Sequence, residues 1–150
     1  MLAVTEVNHC DLCSHAHTKK ALESGMSCEE IQKLLSGIIE DVPVDEIAAV
    51  IFAQHYADTR GNPTLESWQH IVKIYGTSRA KGILGSIRTI MIGNTYAFLG
   101  AHFFNRFMGK PDQRSSLKYE ISMILGSFLI PISLFHALIS DLLKKPIISF

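Results

Sequence analysis

The stretch Ala3-Val-Thr-Glu-Val-Asn-His-Cys-Asp-Leu-Cys-Ser-His-Ala-His17-Thr-Lys-Lys20 joins a short apolar run to two cysteines and a histidine. Two residues separate Cys10 from Cys13, and His17 follows four residues after Cys13. On a helix that starts near Cys10, the two cysteines lie about one turn apart on one side and can close a disulfide. The same spacing places the His17 imidazole over the face that carries the Cys13 sulfur.

These residue types in this pattern are typical of thiol redox chemistry. A thiolate is the reactive form of cysteine, and the positive end of a helix can lower its pKa from about 8.5 to roughly 3.5–7.5. A histidine titrates near neutral pH, so it can accept a thiol proton and return it. One thiolate would attack a peroxide or a disulfide, and the partner thiol would resolve the product. We therefore take Cys10, Cys13 and His17 as candidate catalytic residues.

A zinc site is the main alternative for the same residues. Cys10, Cys13 and His17 would supply three ligands. The fourth would be a neighbouring histidine or the third cysteine: His9, His15 or Cys28. Structural zinc sites usually take a second pair of ligands from a distant segment, but the later histidines stand alone: His55, His70, His102 and His136. A c-type haem would need a histidine where Ser14 stands. We therefore expect neither a metal nor a cofactor.

The composition describes an apolar chain with balanced charge. Its 150 residues fit a single domain over residues 1–150. The chain has 14 lysines and arginines and 14 aspartates and glutamates. We therefore expect no strongly basic surface that would bind nucleic acid. The three cysteines contain one close pair, which indicates a reactive pair in a reducing compartment and hence a cytoplasmic location. No signal-peptide pattern opens the sequence.

Apolar residues recur at helical spacing along the whole chain, so we predict an all-α domain of about seven helices. A helix over residues 10–24 ends at Gly25, and Ser27-Cys-Glu-Glu30 is a capping box that starts the next one. The later breaks are expected at turn residues: Gly37, Pro43, Gly61–Pro63, Gly76 and Gly109–Pro111. A last apolar helix covers about 115–143, with a kink expected at Pro131.

Residues 121–139 carry no charge and approach the length of a membrane span, which is about 20 residues. Pro131 interrupts this run, and Glu120 and Asp141 bracket it. We therefore favour a buried core or interface helix and expect no membrane partner.

Two long apolar stretches, Ile83–Met108 and Ile121–Leu143, need more cover than the helices of one small domain provide. Close approach of another helix would explain the glycines within and beside the first stretch: Gly82, Gly85, Gly93 and Gly100. A closed ring of identical subunits would cover both stretches symmetrically. We therefore predict a homo-oligomer.

The stretch from Ala3 to Lys20 resembles the core motif of the alkylhydroperoxidase D-like proteins, within the carboxymuconolactone decarboxylase superfamily. That motif is an apolar helix, a short turn with asparagine, and Cys-x-x-Cys-x-x-x-His, which Cys10, Cys13 and His17 match position by position. The resemblance implies an all-α fold that assembles as trimers or hexamers. It also implies peroxide reduction or disulfide exchange with a partner redox protein. The decarboxylases proper lack the cysteine pair, so decarboxylation is not expected.

The resemblance also implies a role for each residue of the motif. Cys13 would attack the hydroperoxide substrate, Cys10 would be the more exposed resolving thiol, and His17 would relay protons. A protein thiol or dithiol would donate the electrons. The glutamate of the family's proton relay would fall ahead of Met1, and Glu6 could feed protons into the site only on a helix that continues through Cys10. The glycine that is common before the first cysteine is His9 in this sequence.

Overall fold

The structure is a computed structural model that describes residues 1–110, 113 and 115–148. These residues form seven α-helices and no strand: α1 (Leu2–Asn8), α2 (Asp11–Glu23), α3 (Cys28–Leu35), α4 (Val44–Asp58), α5 (Leu65–Phe107), α6 (Leu117–Ser127) and α7 (Ile130–Leu142). The prediction of an all-α fold with about seven helices is confirmed. Pro111, part of one predicted break, lies outside the described residues, whereas Gly109 follows the end of α5 with a φ of 76°.

The chain divides into two compact units, Met1–Phe98 and Leu99–Phe150. The first unit contains α1 to α4 and most of α5. The second contains the end of α5 together with α6 and α7. A single domain over residues 1–150 stays a prediction.

Helix α1 is short, yet it forms the centre of the first unit. Four of its residues are buried, Leu2, Ala3, Val4 and Thr5, and it packs against α2, α3 and α4. Burying a valine or leucine side chain contributes about 1.5–3 kcal/mol to folding. A seven-residue helix has little stability in isolation, so packing of this kind is what keeps α1 helical.

The helix end and the helix start that were predicted between α2 and α3 are both present. Gly25 follows α2 with a φ of 94°, a left-handed conformation that glycine adopts without steric cost. The Ser27 N–H donates to Glu30 Oε2 at 2.6 Å, and the Glu30 N–H donates to Ser27 Oγ at 3.2 Å. These two bonds are the reciprocal pair of a capping box and fix the start of α3.

Helix α5 consists of two helical segments that meet at Gly76, where φ is 75° and ψ is 159°. The predicted helix end at Gly76 is therefore confirmed. The four later glycines of α5 have open space around them within the chain. A Cβ added at Gly82, Gly85, Gly93 or Gly100 would meet no atom within 4 Å. Close approach of another helix at these glycines, which an oligomer would provide, stays a prediction.

In the second unit, a buried ion pair joins the end of α5 to the start of α6. The Arg106 guanidinium donates to both carboxylate oxygens of Glu120, at 2.9 and 3.0 Å, and Glu120 is fully buried. Arg106 also donates to the Ser115 carbonyl at 2.9 Å. The hydrogen bond from Arg106 is the main cause that lowers the pKa of Glu120, so this buried carboxyl stays ionised.

The last apolar segment forms two helices, not the single kinked helix predicted over about 115–143. α6 ends at Ser127, α7 starts at Ile130, and the two are bent by 49°. Pro131 lies in the first turn of α7, where its missing N–H costs nothing. The break therefore falls just before the proline, at Phe128 and Leu129, because proline disfavours helix continuation into it.

Helix α7 buries none of its residues, so the core position expected as one alternative for residues 121–139 is not found within the second unit. Its large apolar side chains, with those at the end of α6, are exposed: Leu125, Phe128, Leu129, Ile132, Leu134, Phe135, Leu138 and Leu142. A helix that is apolar around most of its circumference needs cover around most of it. The interface alternative stays a prediction.

No single helix in the described part of the chain is long and apolar enough to cross a membrane. The bent pair α6 and α7 would reach that length and composition only when taken together.

We predict that the exposed surface of α7 is covered by further copies of this chain, as a trimer or hexamer by the resemblance. Light scattering on protein purified without detergent should report an oligomer at micromolar concentration. Replacing Phe135 and Leu138 together with aspartate should shift it toward the monomer, because burying two carboxylates is costly. The exposed polar control Gln69→Asp should leave the assembly intact.

A monomer without detergent would contradict this assembly. Protein that stays insoluble until detergent is added would instead favour a membrane-associated surface.

Candidate active site

The segment that holds the candidate site begins with an abrupt break between α1 and α2. His9 follows α1 in the left-handed region, with φ of 49° and ψ of 42°, and its N–H donates to the Glu6 carbonyl at 3.2 Å. Cys10 is then extended, with φ of −95° and ψ of 97°, and is the N-cap of α2. Histidine is among the residue types that tolerate the left-handed region, which explains how His9 takes the place of a turn glycine.

This break also removes Glu6 from the helical register of the motif. A continuous helix would have aligned Glu6 with Cys10 and Cys13, but the chain changes direction at His9. The Glu6 carboxylate instead lies by Gly37, where an added Cβ would be 3.8 Å from Oε1. Glu6 therefore belongs to the packing of α1 near the end of α3.

Cys10 and Cys13 are joined by a disulfide, and their Cα atoms are 5.2 Å apart. The Cys10 sulfur also accepts a hydrogen bond from the backbone N–H of Cys13 at 3.3 Å. Both residues are buried, with Cys10 3% and Cys13 5% exposed. The expectation that Cys10 is the more exposed thiol is therefore wrong for this chain, because the capping bond turns its sulfur inward toward the first turn of α2.

His17 lies one turn after Cys13 on α2 and is half-buried. Burial is the main cause that lowers its pKa, and the positive N-terminal amine adds to the effect. A hydrogen bond with the Asn94 side chain acts in the opposite direction. The net lowering keeps the imidazole neutral at neutral pH, which is the form that can accept a proton.

Asn94 is the site residue that the sequence analysis missed. It lies on α5 and is 3% exposed, and its side-chain amide donates to Thr5 Oγ1 on α1 at 3.3 Å. Its backbone carbonyl oxygen is 4.0 Å from Cys13 Sγ. One residue of α5 therefore contacts α1, the cysteine pair and His17. The available signal was an amide within a long apolar run, since a buried polar side chain requires partners.

A cavity of about 390 Å³ adjoins the site on the side of His17. Apolar side chains that include Leu2, Leu34 and Val50 form most of its wall, and charged side chains lie at it as well: Glu30, Lys33, Asp41 and Glu46. His17 and Lys20 of α2 also line it. The cavity gives a bound molecule contact with the histidine of the motif.

The additional zinc ligands considered from the sequence are not gathered around the pair. His9, His15 and Cys28 are all exposed. Over residues 1–110, 113 and 115–148, no group of three or more His, Cys, Asp or Glu side chains is arranged to hold a metal ion. The two cysteines that would supply thiolates are bonded to each other.

Residues 1–54 match the family model described as the carboxymuconolactone decarboxylase family. The match covers α1, α2, α3 and most of α4, and so includes Cys10, Cys13 and His17. It agrees with the resemblance over this segment, which is 54 of the 150 residues. No curated protein and no solved structure matches the chain.

We expect the measured pKa of His17 to lie below 6.5, because burial disfavours the charged imidazolium. Asn94→Ala should lower it further, because the substitution removes the hydrogen bond that favours the protonated form. The His17 ring resonances, followed by NMR against pH, give both values. Asn62→Ala, at an exposed turn, is the matched control and should not change the titration. A rise in the pKa of His17 in Asn94→Ala would contradict this interaction.

Proposed function

We propose that this chain is a thiol oxidoreductase, acting as a thiol-dependent peroxidase or disulfide reductase through its cysteine pair. The observation that carries the proposal is the Cys10–Cys13 disulfide at the first turn of α2, one helical turn from His17. The Cα atoms are 5.2 Å apart, within the range that a disulfide requires, so the start of the helix itself brings the two sulfurs together. The two sulfurs then store and release two electrons.

The reaction with a hydroperoxide takes two steps. A thiolate of the reduced pair attacks the terminal oxygen, an S–O bond forms, the O–O bond breaks, and the alkoxide leaves and takes a proton to become an alcohol. The second thiol then attacks the sulfenic acid, which closes the Cys10–Cys13 disulfide and releases water. A thiol or dithiol donor reduces the disulfide again and completes the cycle.

His17 is the group that moves protons in this scheme. Its lowered pKa makes it a base at neutral pH, so it can take a proton from a thiol as that thiol becomes a nucleophile. The protonated imidazole can then return the proton to the leaving alkoxide. The neighbouring Asn94 side chain favours the protonated imidazole but does not itself titrate.

The cavity beside His17 has room for an organic substrate larger than hydrogen peroxide. Its wall is mostly apolar and its volume is about 390 Å³, which suits a small organic group. An organic hydroperoxide could place its apolar part there with its reactive oxygens toward α2. A protein thiol or dithiol is the electron donor in this proposal, as the resemblance implies.

We predict that a small organic hydroperoxide converts the reduced protein to the Cys10–Cys13 disulfide. Mass spectrometry should then show the loss of two hydrogens in the peptide that contains both cysteines. Cys28 is exposed and serves as an internal control for unselective oxidation. Oxidation confined to Cys28 would contradict the proposal.

Turnover with a dithiol donor separates an enzyme from a redox sensor. Repeated peroxide consumption per protein molecule supports the proposed activity. A disulfide that forms once, with no turnover under any thiol donor, would favour a redox-sensing interaction protein. Stoichiometric zinc in the reduced protein would favour the zinc-binding alternative.

We predict that His17→Ala slows peroxide consumption by about 10²-fold, the usual contribution of general acid–base catalysis. The fold should survive because His17 is only half-buried. His15→Ala is a matched control two residues away on the exposed side of α2, and it should keep the full rate. An unchanged rate in folded His17→Ala protein would return His17 to a purely structural role.

A further inference from the structure

The two sulfurs of the pair lie in opposite electrostatic surroundings. Cys10 Sγ accepts the backbone N–H of Cys13 at 3.3 Å, so a hydrogen-bond donor points at it. Cys13 Sγ lies 4.0 Å from the backbone carbonyl oxygen of Asn94, so an acceptor points at it. Both contacts are buried. The first favours a sulfur that carries negative charge, whereas the second favours a sulfur that keeps its proton.

The surroundings of Cys10 are those of an anion at a helix start. As N-cap of a 13-residue helix, its sulfur accepts the N–H of Cys13 and lies at the positive end of the helix dipole. One negative side chain of the same helix opposes this effect, that of Asp11 in the first turn. Asp11 is exposed, so water screens its charge, whereas the N–H of Cys13 contacts the sulfur directly.

His17, one turn after Cys13 on α2, is neutral at neutral pH because burial lowers its pKa, so it places no charge beside either sulfur. The remaining charged or titratable groups near the pair come from α1 and its end. The Glu6 carboxylate of α1 lies by Gly37. The His9 side chain is exposed. From α5 the contacting residue is Asn94, which is neutral. None of these groups places a negative charge beside Cys10 Sγ. Cys13 Sγ, in contrast, faces the partial negative charge of the Asn94 carbonyl oxygen.

The surroundings of Cys13 are held by α5. Asn94 is 3% exposed, and its side chain is fixed to Thr5, so its carbonyl has little freedom to move away. A carbonyl oxygen accepts hydrogen bonds and cannot donate one. It can therefore bind the S–H of a reduced Cys13, and it raises the energy of a Cys13 thiolate.

We propose that in the reduced protein Cys10 carries the thiolate and attacks the substrate, while Cys13 remains a thiol and acts as the resolving residue. This assignment rests on the proposed redox function and reverses the roles that the family resemblance implies. Attack on a substrate disulfide joins Cys10 Sγ to one substrate sulfur and releases the other as a thiolate. Cys13 then gives its proton to the neutral His17 and attacks Cys10 Sγ, which closes the pair and releases the second substrate sulfur.

The test is competitive alkylation of the reduced full-length protein with substoichiometric iodoacetamide. Fragmentation of the labelled peptide assigns the adduct to Cys10 or Cys13. Because both residues are similarly buried, access does not favour either, and the ratio reports thiolate character. We expect Cys10 to be labelled about tenfold more than Cys13, with a ratio that grows as the pH falls from about 8.5 to about 6.5. Equal labelling, or more labelling of Cys13, would overturn the assignment.

Two variants in a Cys28→Ser background give a second measurement. Cys13→Ser keeps the backbone N–H at position 13, so the remaining Cys10 should still react quickly and should retain a mixed disulfide with an aromatic disulfide probe. Cys10→Ser should react about tenfold more slowly at neutral pH. The opposite order, in variants that keep the helical circular dichroism of the parent, would overturn the proposal.

Alkylation requires no turnover, so the two proposals can fail separately. Preferential labelling of Cys10 without peroxide or disulfide turnover would refute the proposed function and leave the thiolate on Cys10. Turnover with preferential labelling of Cys13 would support the proposed function and refute the assignment of the thiolate to Cys10.

Discussion

The left-handed backbone at His9 is the constraint on which the candidate site depends. A non-glycine residue in this region costs roughly 1–2 kcal/mol, which the burial of α1 must offset. This conformation lets the chain end α1 at Asn8 and start α2 at Asp11, with only two residues between the helices. The N-terminal N–H groups of α2 are thereby presented to Cys10, and α1 is free to pack against α3 and α4.

The second support of the site comes from far along the sequence. Asn94 lies 81 residues after Cys13, yet its carbonyl faces that sulfur and its side chain links α1 to His17. The family match ends at residue 54, so this support lies outside the matched segment. The chemistry of the motif is therefore tuned by a helix that the motif does not include.

The features that could be predicted from the sequence are those that local interactions determine. The capping box at Ser27 and the breaks at Gly25 and Gly76 depend on neighbouring residues, and each was located from the sequence. The contact of Asn94 with the site depends on tertiary packing, which helical periodicity does not encode. For α7 the sequence left a core and an interface position open for a similar reason, since an apolar pattern indicates that a helix is covered but not by what.

The disulfide encloses only the two residues between Cys10 and Cys13. A crosslink over so short a segment removes little entropy from the unfolded chain, because that contribution grows with the length of the closed loop. The burial of α1 and the capping box at Ser27 do not involve the sulfur–sulfur bond. Through chain entropy the disulfide therefore contributes little to the free energy of unfolding, and the packing around the pair rests on these other contacts.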